Sequence, residues 1–233
     1  MVQAVLTIDD IASRNTPEIV DYLNEKGITA LMFAVGMNVE KYYDNAIYAL
    51  QHGMIVGNHS YSHPAFSEIS IEEAKEEILH NEAVLDKLYR DAGVERKFRP
   101  FRFPYGNKGG SNKEALQEFF REQGFNKLRD DRIPFAFWKQ VGLDKDIDTL
   151  WTFDFAEYNI RPNSGFTLED VWKRIEDRDP GSGASLSTEG GYHVLLLHAH
   201  DETDEMVPGY YRLFIEKLLS MGITFVTPEF YEG

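Results

Sequence analysis

Two adjacent carboxylates, Asp9 and Asp10, close the apolar run Ala4-Val5-Leu6-Thr7-Ile8. Like charges this near a buried segment repel unless something positive lies beside them, and a metal ion and an arginine are the candidates. Two imidazoles at a spacing of four, His59 and His63, follow in the stretch NHSYSH. On a helical turn that spacing brings both rings to one face, within reach of one ion. Two histidines and an aspartate with one position left open form the donor set of a catalytic rather than a closed structural site. An ion there lowers the pKa of its water and polarises a carbonyl. The aspartate that does not bind it is free to act as a base, ionised beside the cations.

Three further clusters carry candidate chemistry. Arg102 opens RFPYG and is the arginine expected beside the aspartates, with Arg99 as its rival. The turn Pro104-Tyr105-Gly106 could aim a backbone N–H at the site, where it would hold an oxyanion. WTFDFAEY supplies Trp151, Asp154 and Tyr158. His198 ends the run Val194 to Leu197; opposite an aspartate base it would act as general acid toward a leaving nitrogen. His198 and His200 point to the same side of a strand, so the pair could instead bind metal.

These clusters need a scaffold that collects them. Strand and helix signals alternate along the chain. Apolar strands are read at 2–8, 28–36, 54–60, 98–106, 149–155, 192–201 and 223–228. Helices are read from Thr16-Pro17 to Gly27, over 38–53, from the capping box Ser70-x-x-Glu73, from Ser111-x-x-Glu114 to Gly124, from Thr167 to Arg178, and over 208–222. Residues 126–149 read as a charged, irregular excursion, and 179–191 as a Gly/Ser-rich loop. The alternation, with near-continuous apolar strands, predicts a parallel sheet covered by helices. A (β/α) barrel, incomplete at this length, is the first reading and an open doubly wound sheet the second. Both place chemistry at the C-terminal ends of the strands, where each polar cluster falls.

The 233 residues fit one domain, 1–233, with 42% hydrophobic content to build its core. A net charge of −15 disfavours nucleic acid and anionic lipid as partners. The absence of cysteine excludes disulfides and thiolate ligands, so any metal sits on His, Asp or Glu. No run of 18 apolar residues appears anywhere, and no signal-like segment precedes the first strand. A complete natural chain would then be cytoplasmic, and an excised catalytic domain secreted or held at the cell surface. Oligomeric state is left open.

With these residues in place, the pattern resembles the polysaccharide deacetylases of the NodB-homology type, carbohydrate esterase family 4. The likeness runs from Thr7 to His198. Thr7-Ile8-Asp9-Asp10-Ile11-Ala12 stands for T-F-D-D-G-P, His59-Ser60-Tyr61-Ser62-His63 for H-[ST]-x-x-H, and Arg102-Phe103-Pro104-Tyr105 for R-x-P-[FY]. The resemblance implies a distorted, incomplete (β/α) barrel and a metal-dependent deacetylase. It further implies Asp9 as base, and Asp10, His59 and His63 as ligands. Arg102 orients the base, the Tyr105 N–H helps hold the oxyanion, and His198 is the acid. Leu196 lines the pocket for the acetyl methyl. Three places depart from the family pattern: Ile11-Ala12 replaces Gly-Pro, Ala199-His200-Asp201 follows the acid, and the fourth motif lacks its tryptophan. There Asp154 is the acid expected to support His198, Tyr158 or Trp151 walls the pocket instead, and His200 is the alternative acid. The donor set suits zinc first, with cobalt, nickel or manganese as alternatives.

The leading expectation is hydrolysis of an N-acetyl group on an amino sugar within a chitin-like or peptidoglycan-like glycan. Alternatives are an O-acetyl ester of the xylan type, a small non-sugar amide or cyclic imide, an inactive carbohydrate-binding protein, and an amidohydrolase using His198 and His200 as ligands. Tyr42, Tyr43, Phe135, Phe137 and Trp138 are read as sugar-stacking residues or core anchors.

Overall fold

The computed structural model describes residues 1–231. In chain order the elements are β1 (Val2–Ile11), α1 (Thr16–Glu25), β2 (Leu31–Ala34), α2 (Gly36–Lys41), α3 (Tyr43–Gln51), β3 (Ile55–Asn58), α4 (Ile71–Ala92) and α5 (Lys113–Glu122). There follow α6 (Ala136–Gln140), β4 (Phe153–Asp154), α7 (Leu168–Glu176), β5 (Tyr192–His198), α8 (Asp201–Met206), α9 (Tyr210–Ser220) and β6 (Ile223–Phe225).

All strand pairs are parallel, in the order β3-β2-β1-β5-β4, with β6 against the start of β1. The sheet does not close, as expected of an incomplete barrel. Because all strands run the same way, their C-terminal ends share one rim. The central pair is in a register that sets Thr7 beside Leu196 and Asp9 beside His198.

Period-two alternation divides the strand residues between two environments. Ala4, Leu6 and Ile8, with Leu195 and Leu197, join the main core, which includes residues of α1, α3, α4 and α9. Val5, Leu31, Phe33 and Val194 join a second cluster, closed by Leu128, Ile133, Trp138 and Leu143 of the 126–149 excursion. The excursion, read as irregular, is therefore packed structure containing α6. On β1 the residues that continue the Val5 face are Thr7 and Asp9, so the chemistry sits above this second cluster.

Several boundaries differ from the sequence reading. The capping box at Ser70 is present, with Glu73 N donating to Ser70 Oγ (3.2 Å) and Ser70 N to Glu73 Oε2 (2.8 Å). Thr16 is the first residue of α1 rather than its cap, and its Oγ1 accepts from Ser13 N. Ser111 does not cap α5, which begins at Lys113. The helix read over 38–53 breaks at Tyr42 into α2 and α3. Residues 98–106 form no strand; Phe101 makes one parallel bridge to Asn58. No helix of the described residues is long and apolar enough to cross a membrane.

Candidate active site

Asp9, Asp10, His59, His63, Tyr105, Trp151, Asp154, Tyr158, Leu196, His198 and His200 all line one cavity of about 370 Å³ at the strand C-termini. Arg102 lies fully buried behind it, where one residue organises both aspartate and histidine. Its Nη1 donates to Asp9 Oδ1 and to Thr7 Oγ1, each at 2.7 Å, and its Nε to the Thr149 carbonyl at 3.0 Å. Its own carbonyl lies 2.8 Å from His59 Nδ1. That contact makes Nδ1 the protonated nitrogen and leaves the His59 Nε2 lone pair facing the cavity. The rival Arg99 turns away and donates to Glu82.

Asp10 stands between the two imidazoles. Its Oδ1 is buried, makes no hydrogen bond, and lies 3.3 Å from His63 Nε2 and 3.6 Å from His59 Nε2. An orphaned carboxylate oxygen between two ring nitrogens fits a cation that all three would hold. Burial works against charge on Asp10, but the hydrogen bond with His200 and the neighbouring His59, His198 and His63 outweigh it. Its carboxyl is held well below the usual carboxylate range. Burial, and then the adjacent His59, push His63 down to about 4. His63 is therefore neutral at pH 7 and offers a lone pair.

Across the cavity His198 is in the opposite condition. Burial disfavours its charge, but the charge and hydrogen bond of Glu157, with Asp10 and Asp9 behind, push it up to about 9. Its Nδ1 is 3.1 Å from Glu157 Oε1, which also accepts from His198 N at 2.6 Å. The carboxylate that bonds the His198 ring is thus Glu157 and not the expected Asp154, which follows from the loop. Ala156 adopts a left-handed φ of 58°, and its N–H donates to Asp154 Oδ1 at 2.7 Å. The turn carries Glu157, fully buried, under the imidazole. Asp154 remains on the cavity wall, its carboxyl raised by burial and by Glu157. Its oxygen, with those of Glu157 and a His198 nitrogen, lies in a group spanning no more than 4.8 Å.

Walls and rim follow. The Tyr158 ring stands edge-on to His198 at 4.7 Å, and Tyr105, 71% exposed, stands edge-on to His63 at 4.6 Å. Trp151 and the mostly buried Leu196 complete the apolar lining. Arg161, which no motif marks, lines this cavity and a neighbouring one of about 480 Å³ that also includes Tyr42. Phe135, Phe137 and Trp138 pack on the second core cluster, and Tyr43 packs against the main core. His200 does not share the surroundings of His198: its Nε2 lies 2.6 Å from Asp10 Oδ2. Left-handed backbone concentrates here, at Asp10 (φ 66°), Ser60 (65°), His63 (62°), Tyr105 (57°) and Ala156. At roughly 1–3 kcal/mol each, such conformations persist where the surrounding structure imposes them.

A family model described as polysaccharide deacetylase matches residues 3–124, just over half of the chain, including both aspartates, His59, His63 and Arg102. The chain belongs to the polysaccharide deacetylase family. Within that family it is 34% identical over 105 residues to a peptidoglycan-N-acetylglucosamine deacetylase of Bacillus cereus, 45% of this chain and 36% of that protein. It is 36% identical over 104 residues to the peptidoglycan-N-acetylmuramic acid deacetylase PdaC of Bacillus subtilis, 43% of this chain and 21% of that protein. The matches thus span little more than a third of these relatives at most. The crystal structure of the Bc1960 peptidoglycan N-acetylglucosamine deacetylase superposes with a TM-score of 0.66 at 21% identity, over 97% of this chain and 85% of that one. The fold of this deacetylase-family chain is accordingly the NodB-type (β/α) barrel with an open sheet.

Proposed function

We propose that the chain removes N-acetyl groups hydrolytically from amino-sugar units of a poly- or oligosaccharide, using a divalent ion held by Asp10, His59 and His63. The observation that carries this reading is the pairing of Asp9 with His198 across β1 and β5. It puts an arginine-bound carboxylate and a carboxylate-bound imidazolium on the same rim, beside the three candidate ligands. The curated relatives, both named as peptidoglycan deacetylases, support the substrate class.

When bound, the ion would polarise the acetyl carbonyl and acidify water. Asp9, fixed through Oδ1 by Arg102, uses its other oxygen to take the proton as water oxygen attacks the carbonyl carbon. The N–H of Tyr105 donates to the oxyanion. His198 delivers its proton to the nitrogen as the C–N bond breaks, and Glu157 stabilises the imidazolium beforehand. Leu196, Trp151 and Tyr158 enclose the acetyl methyl and exclude water. Acetate and a free amine leave. Asp154 polarises the wall beside His198 rather than holding its ring.

The test is acetate release from N-acetylated chito-oligosaccharides and from peptidoglycan fragments, with chelator-stripped protein and after zinc or cobalt is restored. Metal-dependent acetate release is expected. Stoichiometric metal uptake without acetate from either glycan would overturn the substrate class.

A further inference from the structure

His200 touches the one candidate ligand that sits between the imidazoles, and it is fixed by the scaffold rather than by the cavity. Its Nε2 is 2.6 Å from Asp10 Oδ2, the oxygen turned away from His59 and His63. Its backbone N donates to the hydroxyl of fully buried Tyr210 at 3.2 Å, and that hydroxyl in turn donates to the His198 carbonyl. The next residue, Asp201, accepts from Arg14 N and Arg14 Nε, each at 3.0 Å, tying α8 to the loop after β1. The backbone of Asp10 is held too, its carbonyl accepting from Asn38 Nδ2 at 2.9 Å. With that backbone held, the contact of His200 with Oδ2 restrains both side-chain torsions of Asp10, including the rotation that would exchange its two oxygens.

We propose that His200 is a positioning residue for the metal ligand Asp10: it occupies Oδ2, so that Oδ1 alone is presented to the ion. This rests on the metal-centre reading above. A ligating carboxylate bonded through its second oxygen is pre-oriented and binds through one atom; released, it can turn and chelate through both. Partners of this kind change metal affinity by about 10–100-fold when removed. Glutamine at 200 can bring an amide N–H to the place of the imidazole Nε2, whereas it is a poor substitute for an imidazole that ligates the ion or delivers a proton.

The experiment is zinc affinity by chelator competition, together with the visible spectrum of the cobalt form, for wild type, His200→Ala, His200→Gln and His63→Ala. Circular dichroism of the metal-free forms reports folding. We expect His200→Ala to bind zinc about 10–100-fold more weakly and to give a less intense cobalt band as Asp10 becomes bidentate. His200→Gln should regain most of the affinity and the wild-type band. Tyr210→Phe should fall between, through the looser His200 backbone. Wild-type affinity in His200→Ala overturns the proposal. So do equal losses in His200→Ala and His200→Gln, which would make the imidazole itself a ligand. If wild type takes up no divalent ion, or His63→Ala binds as tightly as wild type, the metal-centre reading fails and this one falls with it.

Discussion

The two sides of the cavity hold partly buried histidines in opposite states. On one side His63 is pushed down to about 4, and on the other His198 is pushed up to about 9. Burial lowers both, so burial does not separate them. What separates them is a hydrogen bond: the fully buried Glu157 carboxylate bonds His198 Nδ1, whereas Asp10 Oδ1, 3.3 Å from His63 Nε2, makes no hydrogen bond and the adjacent His59 works with burial. A metal ligand must keep a lone pair and a general acid must keep a proton. In the proposed reading one cavity meets both demands by hydrogen-bonding a carboxylate to the His198 ring, while the carboxylate beside His63 makes no hydrogen bond to it.

The largest disruption should come from the neutral side. His63→Ala leaves Asp10 and His59 as the remaining ligands, and we expect zinc uptake and acetate release to be lost together, measured by metal analysis and assay on the same preparation. Next is the cationic side. His198→Ala should bind zinc as wild type does while turnover falls about 10²–10⁴-fold, the range for loss of a general acid. A proportional loss of zinc would erase the distinction between the two sides.

Smaller changes sharpen the contrast. In metal-free protein, NMR titration of the imidazoles should find His198 titrating near 9 and His63 neutral down to about 4. Glu157→Gln should bring His198 down sharply, and Asp154→Asn should move it less, because only Glu157 bonds to the ring. Stability follows the same sign. The folded-state value of His198 lies above its ordinary 6.5, so its contribution is complete below about pH 6.5 and is lost as pH rises through about 9. Melting of metal-free wild type should show that alkaline loss, and Glu157→Gln should flatten it.

The two sides also differed in how far they could be read from sequence. Asp9-Asp10 and His59-x-x-x-His63 are local spacings, and each stays local in the fold: adjacent residues at a strand end, and a bend after β3 in which left-handed Ser60 and His63, rather than the expected helical turn, bring the two rings together. The partner of His198 is not local. It depends on the backbone at Ala156, where a left-handed residue sends Glu157 inward and leaves Asp154 bonded to a neighbouring N–H. No propensity marks an alanine for that conformation. The choice between Arg99 and Arg102 was closed for the same kind of reason, since 98–106 forms no strand whose alternation could assign faces. His200 was misplaced because the strand ends at His198, after which α8 begins. The barrel itself was legible, because period-two and near-continuous apolar runs report burial directly. Short elements such as α8, six residues with four acidic side chains, carry no such pattern.

The central claim is that neighbouring carboxylates divide the work, Asp10 holding the ion and Asp9 moving the proton. Asp9→Asn keeps the size of the side chain and removes its basicity. Zinc stoichiometry and acetate release should be measured together on that variant. The account predicts one equivalent of zinc bound as in wild type, with acetate release lowered about 10²–10⁴-fold. Acetate release close to wild type, or loss of the zinc with the activity, would contradict it.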